Sequence, residues 1–322
     1  MGKLLTTASA TALIAIPRTL FAMQGHDHKI VSTPEVWYVL PFIGLLLAIA
    51  IIPLWKEHFW ESNLNKAIIS ALFALPIAVY YLLAAPQELV YHGEEYFGFI
   101  VLLWSLYTIS GGIVLKGNIL ATPRANTIFL AIGSVIANIF GTTGAAMLLI
   151  RPVLKTNAER KHKKHIPIFF IFIVCNVAGC LTPLGDPPLY MGYLNHIPFH
   201  WTFYLFPEWL FMNALLLVIF YFWDKRAYAK ESQSAKVLDM SRYEPVSISG
   251  KINFIFIAGV LLTIIFGKDI AAFITSNPEA EPTPYREIIM IAMGLLSMFF
   301  TKKEYRVANN FNFGAIIEVA VP

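Results

Sequence analysis

The chain has 322 residues, 57 % of them hydrophobic and only 14 % charged, and its mean hydropathy is +0.63, outside the range of ordinary soluble domains. Apolar stretches recur along the whole length, which excludes a soluble domain on a single anchor and predicts an all-α, polytopic membrane protein in contact with the lipid bilayer. The net charge of +4 comes from Lys and Arg gathered in loops, so positive-inside sorting accounts for it and no nucleic-acid partner is implied.

Residues 1–24 carry Lys3, an apolar run from Ala8 to Ile16, a breaker at Pro17 and a small residue at Ala22. This resembles a secretory signal peptide, with an uncleaved helix as the other reading. Spans of the ~20 residues that cross a bilayer follow at Val36–Trp55, Ala67–Ala85, Tyr96–Leu115, Ile166–Leu184, Trp201–Trp223, Ile252–Thr275 and Arg286–Phe300. Lys and Arg number two in loop 56–66, two in 116–126, six in 151–165, six in 224–251 and three in 301–306, but none in 86–95 or 185–207.

The stretch Thr127–Ile150 decides the topology. A full crossing would put the Lys/Arg-bearing loops on its two flanks on opposite sides of the membrane. If it enters and returns on one side, every Lys/Arg-rich loop is cytoplasmic. Its centre, Asn138-Ile-Phe-Gly-Thr142-Thr143-Gly144, is polar where a span is normally most apolar. A re-entrant hairpin is therefore expected, with its tip facing a pathway. The alternative is a continuous helix that uses Gly and Thr for close packing.

The next segment, Asn176-Val-Ala-Gly-Cys-Leu-Thr182-Pro-Leu-Gly185-Asp186-Pro-Pro188, contains three prolines and two glycines, so its helix must unwind. Asp186 there carries a charge that costs ~2.5–3.5 kcal/mol at the centre of a span and less near an interface. It is either functional or a cap on the helix that Pro187 begins. Small monovalent cations such as sodium take oxygen ligands, as other hard cations do. Asn138, Thr142, Thr143, Asn176, Thr182 and Asp186, with unwound carbonyls, offer such a set. Half-helix termini add partial charge of either sign, so the pattern is specific for ions without fixing their sign.

Other polar residues read as structural. Cys175 and Cys180 are expected as small core residues. His162 and His165, within a run of Lys and Arg, are expected on a solvated face. Glu208, His196, His200, Trp201 and Trp209 fit an interfacial belt, and Arg151 a cytoplasmic anchor. Glu318 lies in an apolar segment and is a candidate for the pathway. No paired-histidine metal motif or nucleophile elbow occurs in the spans, so no enzyme and no cofactor is expected.

The motifs Ala137-Asn-Ile-Phe-Gly-Thr-Thr-Gly…Arg151-Pro152 and Asn176…Thr182-Pro-Leu-Gly-Asp186-Pro-Pro resemble those of NhaD-type sodium/proton antiporters. More closely, the chain is similar to a group of the ion-transporter superfamily labelled citrate transporters or sodium:proton antiporters. One departure is Ala137, where NhaD-type hairpins carry an acidic residue. The resemblance implies an inverted-repeat fold, each repeat having a re-entrant hairpin and an interrupted helix. The first repeat would cover 25–223, a cytoplasmic linker 224–251, and the start of a second, incomplete repeat 252–322, as in a truncated chain. It implies a multi-pass protein of the bacterial inner membrane that exchanges sodium, or lithium, for protons, with sodium held by Asn138, Thr142, Asn176 and Asp186. Sodium-coupled transport of citrate or a dicarboxylate is the alternative, and the resemblance leaves room for a homodimer.

Overall fold

The computed structural model describes residues 35–320, so the signal-peptide reading of 1–24 lies outside the described residues. The chain divides after Leu89 into two compact units. The first contains α1 (Leu40–Trp55) and α2 (Asn63–Ala84). Tyr38 and Tyr80 meet at 4.4 Å between ring centroids, so the start of the first element lies against the end of α2 and the two helices are antiparallel. No residue of α1 is buried, as expected of a helix whose solvent is lipid.

The second unit begins within α3 (Pro86–Ser110) and continues through β1 (Val114–Asn118) to α4 (Pro123–Thr156). Next come α5 (His165–Phe170), a π-helical turn Ile171–Asn176 and a 3₁₀ turn Val177–Leu181. α6 (Pro187–Leu194), α7 (Phe206–Ala229), α8 (Gln233–Ser241) and β2 (Glu244–Ser249) follow. The unit closes with α9 (Asn253–Ile265), α10 (Gly267–Thr275), α11 (Tyr285–Phe300), α12 (Lys303–Ala308) and α13 (Gly314–Ala320). The protein is thus an all-α polytopic membrane protein, with one two-stranded ribbon among the described residues. Its core lies where α3, α4 and the interrupted segment meet, with Ile109, Leu130, Ala137, Ile173 and Ala178 among the fully buried residues.

By length and composition α4 could cross a membrane, but its geometry is that of a hairpin. Asn126 and Asn157 exchange amide hydrogen bonds of 2.9 and 2.8 Å. In a continuous helix 31 residues rise by roughly 46 Å, which no side chain spans. The reversal is at Gly141, with φ 73° and ψ 159°, a backbone region open essentially to glycine alone. Gly133 gives the returning limb room, since a Cβ there would lie 2.6 Å from Val174 and 3.0 Å from Leu149.

The Lys/Arg-rich loops of this unit converge at one end. β1 pairs antiparallel with β2, Val114 opposite Ser249, which joins loop 116–126 to 224–251. Lys155 pairs with Glu244 at 2.7 Å and Arg242 with Glu159 at 2.8 Å, which brings in 151–165. Lys116 sits 5.8 Å from the Tyr305 ring centroid, which brings in 301–306. At the other end Asn195 donates to Glu95 at 2.7 Å, linking the two loops that have no Lys or Arg.

The expected solvated face around His165 is corrected by the fold. His165 is buried, its Nε2 2.9 Å from Asp224, and Arg160 and Asn126 bond to the same carboxylate at 2.5 and 3.0 Å. A carboxylate this deep is retained only where donors surround it, and three elements supply them. Nearby, Glu231 accepts the backbone N–H groups of Lys161 and His162. Burial works against its charge, but those amides and the Arg160 guanidinium outweigh it and hold its pKa below the usual value. The stretch 252–275, read as one span, is broken into two helices. Its helices α9 and α10 are bent by 81°, the break falling at Phe266 and Gly267. Glycine disfavours helix continuation, and here its bare Cα faces Pro282.

Two outcomes check this architecture. In a background lacking Cys175 and Cys180, single cysteines at the exposed positions Arg124 and His162 should react with a membrane-impermeant thiol reagent from one face and a cysteine at His196 from the other. Opposite labelling of 124 and 162 would restore a straight crossing. Gly141→Ala should cost ~1–3 kcal/mol from its backbone conformation, read as a lowered unfolding temperature in detergent, whereas Gly93→Ala, with open space around it, should cost far less.

Candidate functional site

The functional geometry is a crossing of two chain breaks. At Gly141 the first limb of α4 ends and the second begins with Thr142. In the interrupted segment the helix widens to a π turn, tightens to a 3₁₀ turn and stops at Thr182, whose φ and ψ of −139° and 153° are extended. The two breaks bond to each other. Leu181 N–H donates to Asn138 Oδ1 at 2.9 Å, the Thr182 hydroxyl to the Asn138 carbonyl at 2.5 Å, and Thr142 N–H to the Gly185 carbonyl at 3.1 Å. Peripheral elements take other freed carbonyls. Trp209 Nε1 donates to Ala178 at 2.8 Å, and the Thr202 hydroxyl to Leu181 at 2.8 Å.

Close approach requires glycine in both breaks. Within the interrupted segment a Cβ at Gly185 would stand 2.0 Å from the Gly179 carbonyl oxygen and one at Gly179 would stand 2.6 Å from that of Gly185, and at the hairpin tip a Cβ at Gly141 would stand 3.1 Å from the Leu184 carbonyl oxygen.

Asn138 is buried, and its Nδ2 donates to the Ser134 carbonyl at 3.0 Å. Both ends of the amide are engaged, but an amide oxygen has two lone pairs, so Oδ1 keeps one acceptor site. Thr182 gives away its proton and likewise keeps acceptor capacity. Asp186 is half-buried at the start of α6, and its side chain forms no capping bond. The reason is local. Pro187 and Pro188 have no N–H, and the next donors, Leu189 and Tyr190, bond to the Asp186 carbonyl at 3.1 and 3.3 Å. The capping reading of the carboxylate is therefore not what the structure shows, and among the described residues nothing donates to it.

Of the other sequence-derived candidates, Thr142 is half-buried with its methyl group against Gly179. Thr143 is exposed. Asn176 is also exposed and turns away from the crossing, its Nδ2 donating back to Ile171 at 2.8 Å across the π turn. Arg151 donates to the Ala308 carbonyl. Cys175 and Cys180 are half-buried, and Cys175 packs against the core from its edge. Trp209, expected in an interfacial belt, is buried, and sequence reasoning missed its bond to the unwound segment. It also missed the buried pair Arg286–Glu287, which looks in sequence like the polar edge of a span. Among the described residues no three His, Cys, Asp or Glu side chains cluster as metal ligands, so the oxygen chemistry available here is that of amides, hydroxyls, carbonyls and one carboxylate.

No curated protein and no solved structure matches the chain. Residues 31–321 match the family described as "Putative citrate transport". A broken hairpin bonded to a broken helix inside a multi-pass protein agrees with transport, and with a match over this share of its length the chain belongs to that family, one described by citrate transport.

Proposed function

We propose that the protein exchanges sodium, or lithium, for protons, with Asp186 as the carboxylate that both ions share. The observation that carries this reading is the chemistry of the crossing. The oxygens of Asn138 and Thr182 keep acceptor capacity at the crossing, and four residues after Thr182 on the same unwound segment stands Asp186, a half-buried carboxylate that has no donor and no ion pair among the described residues. A carboxylate withdrawn from water must be neutralised. Sodium does so with the help of neighbouring oxygens, and a proton does so alone. Competition for one charge then gives exchange without a separate coupling device. Asn138, Thr142 and Thr182 are the nearest sodium ligands on this reading. Thr143 and Asn176 need a local rearrangement to join them. The bacterial inner membrane is the expected location.

A second reading, sodium-coupled transport of citrate or a dicarboxylate, is favoured by the family description. It keeps the same sodium site and assigns the substrate's carboxylates to the half-helix N-termini at Thr142 and Pro187, where the partial charge is positive.

One assay separates the two. In proteoliposomes of the full chain, a sodium gradient should drive proton movement, followed with an entrapped pH dye, in the absence of citrate. Sodium-dependent accumulation of labelled citrate without proton exchange would favour the second reading, and neither flux would sink both. Asp186→Asn should abolish whichever flux occurs while leaving the protein folded. Asn138→Ala should raise the half-saturating sodium concentration roughly tenfold, equivalent to ~1.4 kcal/mol of lost ligand interaction. Wild-type exchange by Asp186→Asn across the pH range would remove Asp186 from the mechanism.

A further inference from the structure

At the Lys/Arg-rich end, the turn between α8 and β2 and the loop after α4 enclose a cavity of about 470 Å³ that the crossing does not use, with Asn118, Lys155, Glu159, Arg242 and Glu244 in its wall. The side chains of Asn118 and Glu159 are each only 4 % exposed. Each spends one atom on Arg242. Asn118 Nδ2 donates to the Arg242 carbonyl at 2.8 Å, and Arg242 Nη1 donates to Glu159 Oε1 at 2.8 Å. The other atom of each, Asn118 Oδ1 and Glu159 Oε2, is buried and accepts no hydrogen bond. Asp239 of α8, 5 % exposed, repeats the pattern. Its backbone carbonyl takes the Arg242 N–H at 3.2 Å and its Oδ2 takes the Ala121 N–H at 2.9 Å, while Oδ1 is buried and bare. All three side chains are thus tethered to Arg242 or to the short stretch 118–121.

Buried oxygens without donors are costly, and the neighbouring cations do not serve them. Arg242 is engaged by Glu159 Oε1, Lys155 by Glu244, and Arg160 by Asp224 and Glu231. Asp239 is left without an ion pair among the described residues. Burial pushes the Asp239 carboxyl above its usual range and the Glu159 charge adds to this, against the Ala121 N–H and the Arg160 guanidinium, so the two carboxylates lie within electrostatic reach of each other. A proton would neutralise one oxygen, whereas a metal cation can take several at once. The bare atoms are two carboxylate oxygens and one amide oxygen, all hard acceptors. Magnesium-like ions use one or two carboxylates and keep several of their waters. At ~30 Å³ for each water, the cavity has room for them.

We propose that Asn118, Glu159 and Asp239 form a binding site for a hydrated divalent cation of the magnesium kind. The ligands come from β1, from the loop that follows the hairpin and from α8, so the ion ties the ribbon to the returning limb of α4. Arg242 and the ion compete for Glu159. The site is separate from the crossing and does not depend on which ion is transported there.

Titration of the purified full chain in detergent with Mn²⁺, read by electron paramagnetic resonance and competed with Mg²⁺, tests the site. One saturable Mn²⁺ site that Mg²⁺ displaces is expected in the wild type. Glu159→Gln and Asp239→Asn should each weaken binding roughly tenfold or more, since each removes a ligand charge, and Asn118→Ala should weaken it less. Arg242→Gln, which leaves all three ligands in place, should tighten binding by removing the competing guanidinium, an effect that loss of a merely structural ion pair would not produce. Mg²⁺ should also raise the unfolding temperature of the wild type and not that of Glu159→Gln/Asp239→Asn. No saturable binding by the wild type at millimolar Mn²⁺, or wild-type affinity in the double variant, overturns the proposal. Loss of the Mn²⁺ site in Asp186→Asn would overturn it too, by placing the ion at the crossing. Should the carboxylate variants fail to fold, Arg242→Gln still decides, and weaker binding by that variant counts against the site.

Discussion

A break in a helix at membrane depth frees backbone N–H and C=O groups that lipid cannot satisfy, each costing ~1–3 kcal/mol if left buried without a partner. The rest of the structure depends on how this cost is met. The hairpin tip and the interrupted helix each supply what the other lacks. The Asn138 amide oxygen takes Leu181 N–H, the Asn138 carbonyl takes the Thr182 hydroxyl, and Thr142 N–H finds Gly185. Neither break is stable without its partner, so the glycines that permit the contact are as necessary as the polar groups that make it. Bulk at Gly179 or Gly185 would push apart the two stretches of the interrupted segment that meet there, and with them the positions of Leu181, Thr182 and Gly185 that bond to the hairpin tip.

The ends of the hairpin are held by different means. Asn126 and Asn157 tie the limbs together, and the Asp224 carboxylate gathers Asn126, Arg160 and His165. Replacing a buried ion pair by apolar side chains is often neutral or stabilising, whereas removing one partner is strongly destabilising. The network is therefore better understood as setting register than as the main source of stability. It fixes where α4 begins and ends relative to α5 and α7, and so fixes which residues fall at the tip. The tip is held by the three bonds and close packing described above, an arrangement that small movements can open.

The hairpin was legible in the sequence because two independent signals agreed: the Lys and Arg count of the loops, and polar residues at the centre of an apolar stretch. The position of the second break was legible from its prolines and glycines. Which polar side chains point into the crossing was not. Asn138 and Asn176 look equivalent in sequence, yet Asn138 bridges the two breaks while Asn176 folds back on Ile171. That choice depends on the π turn, which rotates the helix face and has no sequence signature. His165 was misread because charge-rich neighbours on a loop usually mean solvent, and its partner Asp224 lies 59 residues away. Arg286 and Glu287 were missed for a similar reason, since their burial comes from α3, whose Gly98 reveals nothing until the helices are packed.

The proposed preference for a cation rests on charges that sequence alone leaves balanced. Four helix ends meet at the crossing. The first limb of α4 and the 3₁₀ turn bring C-terminal carbonyls, with negative partial charge, while the second limb brings N-terminal amides and α6, which opens on two prolines without N–H, brings only the positive end of its dipole. These contributions oppose one another, and much of each is already spent on the bonds between the breaks. The remaining full charge is that of Asp186, and the basic side chain nearest in sequence to the hairpin tip, Arg151, is engaged by the Ala308 carbonyl. On the reading proposed above, a site with this balance attracts a cation before it attracts an anion. On that reading a tricarboxylate would enter it favourably only after a cation had neutralised Asp186, so the proposed cation site and the family's description by citrate are compatible.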